Sequence, residues 1–281
     1  MTKFFKLFTV FFLLSLISFS QISKIHYIPP LTANDLQQGG GGSIPYDQHL
    51  YLSTPSTSDV TVKITILSTG QEITYTDLRN DNPKVYQLTT DNPNQDQALN
   101  GVLFVDKDGT GSNTLNSGLV IDADCPVYAS IRYNAGAQAG ALVSKGDASL
   151  GTHFRTGMMT NGNQSEENQI QNSTNSHNLN FISVMATQDN TTVRFDLPNA
   201  SSNLQIANYN YNGNPIVKTL NRNESMIIAA DAREPNNSGE NRFALVGALV
   251  RSIDNSGTLI IEDPTKPIVV NVGSASGTFM S

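Results

Sequence analysis

The sequence predicts an all-β protein made of two similar, tandem β-sandwich-like halves, of the immunoglobulin or jelly-roll type, that arose by internal duplication. Apolar residues recur at every second position, as in Val60–Ile66 and residues 267–272. This period is typical of strands with one buried face. Clusters of Gly, Asn, Asp and Pro interrupt these runs as turns do, and two segments of the first half match two of the second in the same order.

Residues 1–20 have the pattern of a removable export signal. Two lysines form a basic start, an apolar stretch follows to Phe19, and small residues precede Gln21. We expect cleavage after Ser20. Because the apolar stretch is shorter than the roughly 20 residues that a helix needs to cross a bilayer, the pattern favours secretion and predicts no membrane span after cleavage.

The composition argues against several classes of partner and of stabilising bond. The chain has 17 Lys and Arg against 24 Asp and Glu, a formal net charge of −7. This charge argues against nucleic acid and anionic membranes as partners. The single cysteine, Cys125, cannot form a disulfide within the chain, so we expect the apolar core and the strand ladders to hold the exported protein together.

Polar and glycine-rich segments divide the chain into expected domains. Residues 21–43 contain four consecutive glycines and are expected to be a flexible amino-terminal segment. The first β-domain is expected over 44–143, an inter-domain connector and loop over 144–177, and the second β-domain over 178–281. Each β-domain then has about 100 residues, an ordinary size for a domain.

The internal repeat rests on two pairs of segments, 50–64 with 181–195 and 118–131 with 257–272. Each member of the second pair reads as a strand, an acidic turn and a return strand. Pro126 and Pro267 are expected to open the return strands, where a missing amide donor breaks no ladder. Since β-hairpins resemble one another, a chance likeness of hairpins is the alternative to duplication.

The start of the connector is expected to clamp the two halves together. Its glycines allow close contact between backbones, and Leu142, Val143, Leu150 and Phe154 supply apolar groups for the seam. Burial of Phe154 alone would contribute about 2 kcal/mol. The polar continuation over 161–177 has little to bury, so we expect it to be mobile.

A set of short motifs extends over most of the chain. It consists of Pro55-Ser-Thr, Gly118-Leu-Val-Ile with Pro126-Val, the stretches 138–146 and 150–157, Asp189-Asn-Thr-Thr-Val, and the closing stretch 266–275. Over about residues 45–281 these motifs resemble the amino-terminal region of large Bacteroidota surface proteins. That region is similar to the IgGFc-binding protein amino-terminal family. The block from Gln138 to Arg155 is the most specific part of the likeness.

The resemblance implies a secreted or surface-attached, adhesive protein rather than an enzyme. Such proteins typically end in a sorting domain of the gliding-motility or type IX secretion kind. The chain stops at Ser281 without one, so we expect it to be either a fragment of a larger surface protein or a stand-alone member. Immunoglobulin binding is implied only by the family's name.

Four residues are candidates for ligand contact. Lys145 and Arg155 lie in the most family-like block and could form a cationic grip, although pairing with nearby acids or packing in the connector is the favoured interpretation. Tyr209 and Tyr211 alternate with Asn and could stack on a carbohydrate, although alternating Tyr also occurs on one face of a strand.

Metal and nucleophile signals are weak. Asp106 and Asp108 lie in a turn with oxygen ligands for calcium, but Gly109 comes at position four rather than the six that a helix-loop-helix calcium loop requires, so an ordinary turn is the alternative. The four histidines have no zinc-ligand spacing. Acidic neighbours favour an unreactive thiol at Cys125. We therefore expect no catalytic residue and no cofactor.

The sequence thus predicts a non-enzymatic adhesion or binding module at the cell surface or outside the cell, the amino-terminal part of a larger surface protein. Its partner is expected to be an extracellular surface glycan or protein. The alternatives are a carbohydrate-binding accessory region of a secreted hydrolase and a structural spacer.

Overall fold

The computed structural model describes residues 22–32, 45–88, 102–135, 138–158, 161–162, 170–171, 179–198, 204–231, 243–254, 261–274 and 278–279. Within these ranges the protein is all-β, as predicted. Its helical residues there are two single 3₁₀ turns, Lys107–Gly109 and Gly146–Ser149. No helix of the described part could span a membrane. The predicted export signal lies outside the described residues.

The strands are numbered in chain order. They are β1 (Ser23–Ile28), β2 (Leu31–Thr32), β3 (Tyr46–Ser53), β4 (Val60–Ile66), β5 (Gln71–Leu78), β6 (Lys84–Gln87), β7 (Phe104–Val105), β8 (Leu119–Ala135), β9 (Gln138–Val143), β10 (His153–Arg155), β11 (Asn161–Gly162), β12 (Ile170–Gln171), β13 (Leu179–Ala186), β14 (Thr191–Asp196), β15 (Ile216–Leu220), β16 (Ser225–Asp231), β17 (Leu249–Asp254), β18 (Ile261–Glu262), β19 (Ile268–Ser274) and β20 (Thr278–Phe279).

The first sheet is organised around the long strand β8. The amino-terminal part of β8 pairs with β1 and β4, and β4 continues to β5. The carboxyl-terminal part pairs with β3 and β9, and β3 continues to β6. All these pairs are antiparallel. One strand therefore belongs to two sets of neighbours, one on each side of its middle.

Two further sheets contain most of the second half. The middle sheet has the order β16-β13-β19. The second sheet has the order β10-β17-β14-β15, with β18 also paired to β17. The short strands form two minor sheets, β2 with β7 and β11-β12-β20.

Two apolar cores lie against these sheets. Alternation in β4, where every second residue is buried, is the pattern that predicted a strand with one face in a core. The first core includes Leu50, Leu52, Val62, Ile64, Ile121 and Ile131. The second core includes Val193, Phe195, Ile216, Leu220 and Val250.

The middle sheet contributes side chains to both cores. Leu179 and Phe181 of β13 belong to the first core, whereas Ile182 and Val184 of the same strand belong to the second. Every residue of β13 is buried. This explains why β13 reads as a nearly continuous apolar run, since both of its faces exclude water.

The predicted flexible segment 21–43 is wrong for its described part. Strands β1 and β2 lie there, and His26, Tyr27 and Ile28 are buried. His26 Nε2 donates to the Val127 carbonyl oxygen at 3.0 Å, and its Nδ1 lies 2.9 Å from Ser144 Oγ. These bonds and the apolar side chains fix the segment in the first sheet. The glycine run lies outside the described residues.

The acidic turn predicted before Pro126 is also wrong. Strand β8 continues through Asp124, Cys125 and Pro126, and the residues from Leu119 to Ile131 that face the core are buried on either side of this point. The pairing of β1 with β8 shifts register there, between Ser23 and Ile25. A bulge of this kind bends a strand without ending it, so the polar residues mark the bend at which β8 changes neighbours.

Strand connections of the two halves correspond in part. In the first half β3 lies between β6 and β8, antiparallel to both, and in the second half β13 lies in the same way between β16 and β19. The pair β5-β4 corresponds likewise to the pair β15-β14. Beside β14, however, lies β17 rather than the segment that the sequence aligns with β8. A hairpin, β17 with β18, thus occupies the place of one continuous strand.

A repeated hydrogen bond accompanies this correspondence. Thr54 Oγ1 donates to the Pro126 carbonyl oxygen at 2.9 Å, and Thr187 Oγ1 donates to the Pro267 carbonyl oxygen at 2.6 Å. Each threonine follows β3 or β13, and each proline lies just before the segment paired with that strand. We propose on this basis that the halves, with the limits expected above, are duplicated units. The shared core shows that they are packed as one body.

The seam between the halves holds a small third cluster of Tyr27, Met185 and Val269, with Leu150 packed against it. Leu150 thus lies where the clamp prediction put it. The other three residues do not, because Leu142 packs on the first core, Phe154 packs on the second, and Val143 is exposed. The predicted mobile stretch 161–177 lies outside the described residues except for β11 and β12.

Candidate binding surface

One face of the first sheet is turned away from the first core and remains open. Strands β6, β3, β8 and β9 lie side by side there, and alternate residues of each point outward. We call this surface the open face and define it by Val85, Gln87, Asp47, His49, Tyr51, Tyr128, Ser130, Arg132, Asn134, Ala139, Ala141 and Val143.

The strand register sets these side chains in rows. One row runs across four strands through Val85, Tyr51, Ser130 and Val143. The next runs through Gln87, His49, Arg132 and Ala141. Directly opposed side chains on one sheet face are in contact distance of one another. The rows therefore form a continuous surface.

The open face concentrates exposed apolar side chains. Val85 is 49% exposed, Val143 47%, Tyr128 39% and Tyr51 36%. Seven large apolar residues of the described chain have this degree of exposure, and these four lie on one face. Single exposed apolar residues are normal, but a cluster indicates an interaction surface.

Cationic and aromatic groups meet at the centre of the open face. The Arg132 guanidinium carbon lies 5.1 Å from the centroid of the Tyr51 ring, a cation–π distance. The His49 ring lies beside Tyr51, with 6.2 Å between centroids. The contact places a cationic group and an aromatic ring side by side on this surface.

A shallow depression of about 470 Å³ adjoins this centre. At its polar end, Asn134 Nδ2 donates to Asp47 Oδ2 at 2.6 Å, and His49 Nδ1 lies 3.2 Å from Asp47 Oδ1. Asp47 has a φ of 51°, a left-handed conformation that is uncommon outside glycine. This conformation accompanies the register shift in β3 between Tyr46 and His49.

Gly140 lines the depression with its backbone, and on the core side of β9 the Tyr133 ring leaves no room for a side chain at this position. A Cβ at Gly140 would lie 2.3 Å from the Tyr133 ring. Tyr133 itself packs edge-on against Phe104, with 4.8 Å between centroids. Burial raises the pKa of Tyr133 above its usual value, so its hydroxyl stays protonated.

A salt bridge joins β5 and β6, which follow one another in the chain. Lys84 Nζ lies 2.7 Å from Asp77 Oδ2 and 5.9 Å from the Tyr75 ring centroid. The hydrogen bond from Lys84 lowers the pKa of Asp77 from its ordinary value. Asp77 is therefore a paired carboxylate rather than an acid poised for catalysis.

The structure does not bring Lys145 and Arg155 together. Lys145 is exposed beside the turn Gly146–Ser149, which Asp147 attaches to β1 through a 2.7 Å bond from Ser23 Oγ. Arg155 lies on β10 in the second sheet, and its Nη1 donates to the Gly247 carbonyl oxygen at 2.9 Å. No contact in the described part of the chain joins the two side chains.

The two tyrosines predicted to stack on a sugar are turned into the protein. Tyr211 is buried in the second core, and Tyr209 is half-buried against it. Neither lies in a strand, since residues 205–215 form turns and isolated bridges. Burial raises the pKa of Tyr211. Tyr211 therefore offers no free ring face to a ligand.

The calcium candidates lie in a loop closed by hydrogen bonds. Asp106 caps the turn Lys107–Gly109 by accepting the Asp108 amide at 3.2 Å. The side-chain amide of Asn208 donates to the carbonyl oxygens of Asp108 and Thr110 at 2.9 and 3.1 Å. These donors occupy oxygen atoms that a cation would use, and they join a loop of the first half to the second. Within the described residues, no group of three or more His, Cys, Asp or Glu could hold a metal.

Charged residues on the second sheet form structural ion pairs. Asp196 accepts from Arg194 Nε at 2.9 Å and from Arg251 Nη2 at 2.8 Å. Burial raises the pKa of Asp196, but the hydrogen bonds from both guanidinium groups outweigh burial and lower it overall. The hydrogen bond from His153 likewise lowers the pKa of Glu262. Asp196 and Glu262 are therefore carboxylates held by neighbouring basic side chains.

Cys125 is exposed at the bend of β8, and the sequence has no second cysteine. The lack of reactivity predicted for its thiol stays a prediction.

The residues at the centre of the open face were not identified from the sequence. Tyr51 and Tyr128 are aromatic at strand positions whose neighbours Leu50, Leu52 and Val127 face the core. The signal in the sequence was an aromatic residue at a strand position that alternates with core-facing residues and therefore points to solvent. That Tyr51, Arg132 and Val143 share a surface depends on strand order, which periodicity does not contain.

Packed antiparallel sheets with an open, partly apolar face define an all-β protein of the β-sandwich type. Residues 139–281, about half of the chain, match the family model described as IgGFc binding protein. The chain belongs to this family. The matched segment begins in β9 and includes the middle and second sheets. No curated protein and no solved structure matched the chain.

Proposed function

We propose that this chain is an extracellular, non-enzymatic binding module that holds a protein partner on the open face of its first sheet. Membership of a family described as IgGFc binding protein supports a binding role. The observation that carries the proposal is the clustering of Tyr51, Val85, Tyr128 and Val143 around Arg132. Tyrosine and arginine are the residue types that most often dominate binding energy at protein interfaces.

The open face suits a protein surface better than a small molecule. Its depression is shallow and lies on a nearly continuous sheet, whereas small ligands usually occupy enclosed apolar pockets. Exposed apolar groups surround it on several strands. Burying one of these side chains against a partner would contribute on the order of 1 to 2 kcal/mol.

Export and surface attachment are parts of the same proposal. The signal pattern of residues 1–20 supports secretion, and an all-β chain without an internal disulfide is compatible with it. Attachment through a type IX sorting domain in a Bacteroidota host, and contacts of Lys145 or Arg155 with a ligand, remain proposals that the family likeness suggests.

The test measures binding by the secreted chain, residues 21–281, in biolayer interferometry. The probes are the Fc fragment of immunoglobulin G, which the family's description suggests, and a panel of mucins and other extracellular glycoproteins. A glycan array run in parallel examines the carbohydrate alternative. Tyr51→Ala and Val85→Ser alter the open face, and Val217→Ser is the matched control, because Val217 is 45% exposed on the second sheet.

We expect one protein probe to bind, with a loss of at least about tenfold for Tyr51→Ala, which corresponds to about 1.4 kcal/mol. Val85→Ser should weaken binding less, and Val217→Ser should leave it unchanged. An equal loss of affinity in the two valine variants, or unchanged affinity in all three variants, would exclude the open face as the binding site. Binding to glycans alone would favour the accessory-region alternative.

A further inference from the structure

Strand β9 lies at an edge of the first sheet, and its outer backbone groups have no ladder partner among the described residues. The Ser144 amide donates to the Ala129 carbonyl oxygen at 2.9 Å. In an antiparallel pair the residues that bond to the partner strand alternate with residues that bond away from it. This bond therefore sets the phase, so that the N–H and C=O groups of Ala139, Ala141 and Val143 point away from β8.

The outer edge of β9 lacks the features that usually prevent strand addition. Charged residues, proline and bulges protect most natural sheet edges. Strand β9 has the sequence Gln-Ala-Gly-Ala-Leu-Val, without charge or proline. Its outward residues Ala139, Ala141 and Val143 are exposed.

Other long edge strands of the described chain are guarded. Glu72 and Asp77 lie on β5, Lys84 begins β6 after Pro83, and Lys218 lies on β15. The edge of β16 is covered by bonds from Gly111 and Leu115 to its backbone. Strand β19 is also uncharged, but it follows Pro267 and its first residue, Ile268, bonds to Gly151. The contrast singles out β9.

We propose that β9 pairs with β9 of a second copy of this chain, in antiparallel orientation about a two-fold axis through Ala141. Such an interface is self-complementary. In this register Ala141 faces its own copy and Ala139 faces Val143, so every outward N–H and C=O finds a partner. Because β9 carries no charged residue, no like charges meet in this pairing.

The paired edge would join the open faces of two copies into one surface. The row through His49, Arg132 and Ala141 would continue across the axis into the same row of the second copy. Gly140 does not disturb the pairing, because the Tyr133 ring covers β9 at that residue. The association is independent of the partner proposed above.

Sedimentation equilibrium of the secreted chain tests the pairing over protein concentrations from about 1 to about 100 μM, a range suited to weak association. We expect the average mass of the unaltered chain to rise toward twice the monomer mass. Ala141→Pro removes an outward amide that β8 does not use, and should hold the mass at that of the monomer. The control Val217→Glu should associate like the unaltered chain.

A charge exchange separates edge pairing from misfolding. Ala141→Glu and Ala141→Lys each place like charges at the axis and should associate less, whereas their mixture should recover the twofold mass. Circular dichroism checks that each variant keeps its strands. An unaltered chain that stays monomeric, a dimer that Ala141→Pro leaves intact, or a mixture that fails to associate overturns the proposal.

Discussion

Phe181 tests whether the two halves unfold as one unit. Its side chain is buried in the first core, although its strand β13 also contributes to the second. The ring lies over Gly273 of β19, where a Cβ would be 2.8 Å from a ring carbon. Phe181→Ala removes the ring from a closely packed site, and such a change typically costs about 3 to 5 kcal/mol.

This cost corresponds to a fall in melting temperature of about 6 to 20 °C for a chain of this size. Differential scanning calorimetry should show one transition before and after the change, because β13 contributes to both cores. The matched control is Phe195→Ala, whose ring is fully buried in the second core alone. It should move the same single transition by a similar amount.

Two transitions, of which Phe195→Ala moves only one, would refute the shared core as the source of cooperativity. A change below about 1 kcal/mol for Phe181→Ala would refute the packing argument itself. The half-buried Phe154 should cost less on truncation than either residue, because it packs at the margin of the second core.

Two further predictions concern the attachment of β1 and the contact between the halves. Burial lowers the pKa of His26 from its ordinary value of 6.5, and this effect outweighs the hydrogen bond to Val127, which raises the pKa. Stability should therefore be full above about pH 6.5 and fall as the pH drops toward the folded pKa. In urea unfolding, His26→Gln should flatten this dependence. Gly70 and Gly111 both have a positive φ, so Gly70→Ala should cost about 1 kcal/mol of stability. Gly111→Ala should cost clearly more, because a Cβ at Gly111 would lie 2.2 Å from the Asn208 carbonyl oxygen, whereas a Cβ at Gly70 meets nothing within 4 Å. Equal losses of stability in thermal unfolding would contradict this prediction.

The fold class was predictable because strands with one solvent-exposed face keep an alternation of apolar and polar residues. Strand β4 shows the pattern plainly, with alternate residues buried. Strand β13 does not, because both faces are covered and its apolar run lacks a period. Strand β1 was taken for part of a loose segment because the glycine run at 39–42 separates it from the next strand pattern. The hydrogen bonds that allow burial of His26 come from residues far along the chain.

The site was harder to predict than the fold. Asp122, Asp124 and Pro126 carry turn chemistry, but pairing on both sides keeps β8 extended and converts the expected turn into a bend. Tyr209 and Tyr211 have a strand-like alternation that the second core overrides. Tyr51 and Arg132 are far apart in the sequence and are close only because β3 pairs with β8. Strand order of this kind cannot be read from the periodicity of the residues.

Because the middle sheet has a core on each of its faces, the segment that matches the family model is not the segment that can fold by itself. The matched segment starts at residue 139, after most of the first sheet has passed. A fragment cut there would leave Leu179, Phe181 and Ile227 facing water, since the residues that cover them precede the cut. Expressed alone, such a fragment should aggregate or recruit a substitute cover. A homologue that contained only this segment would need another β-layer to cover the same apolar face.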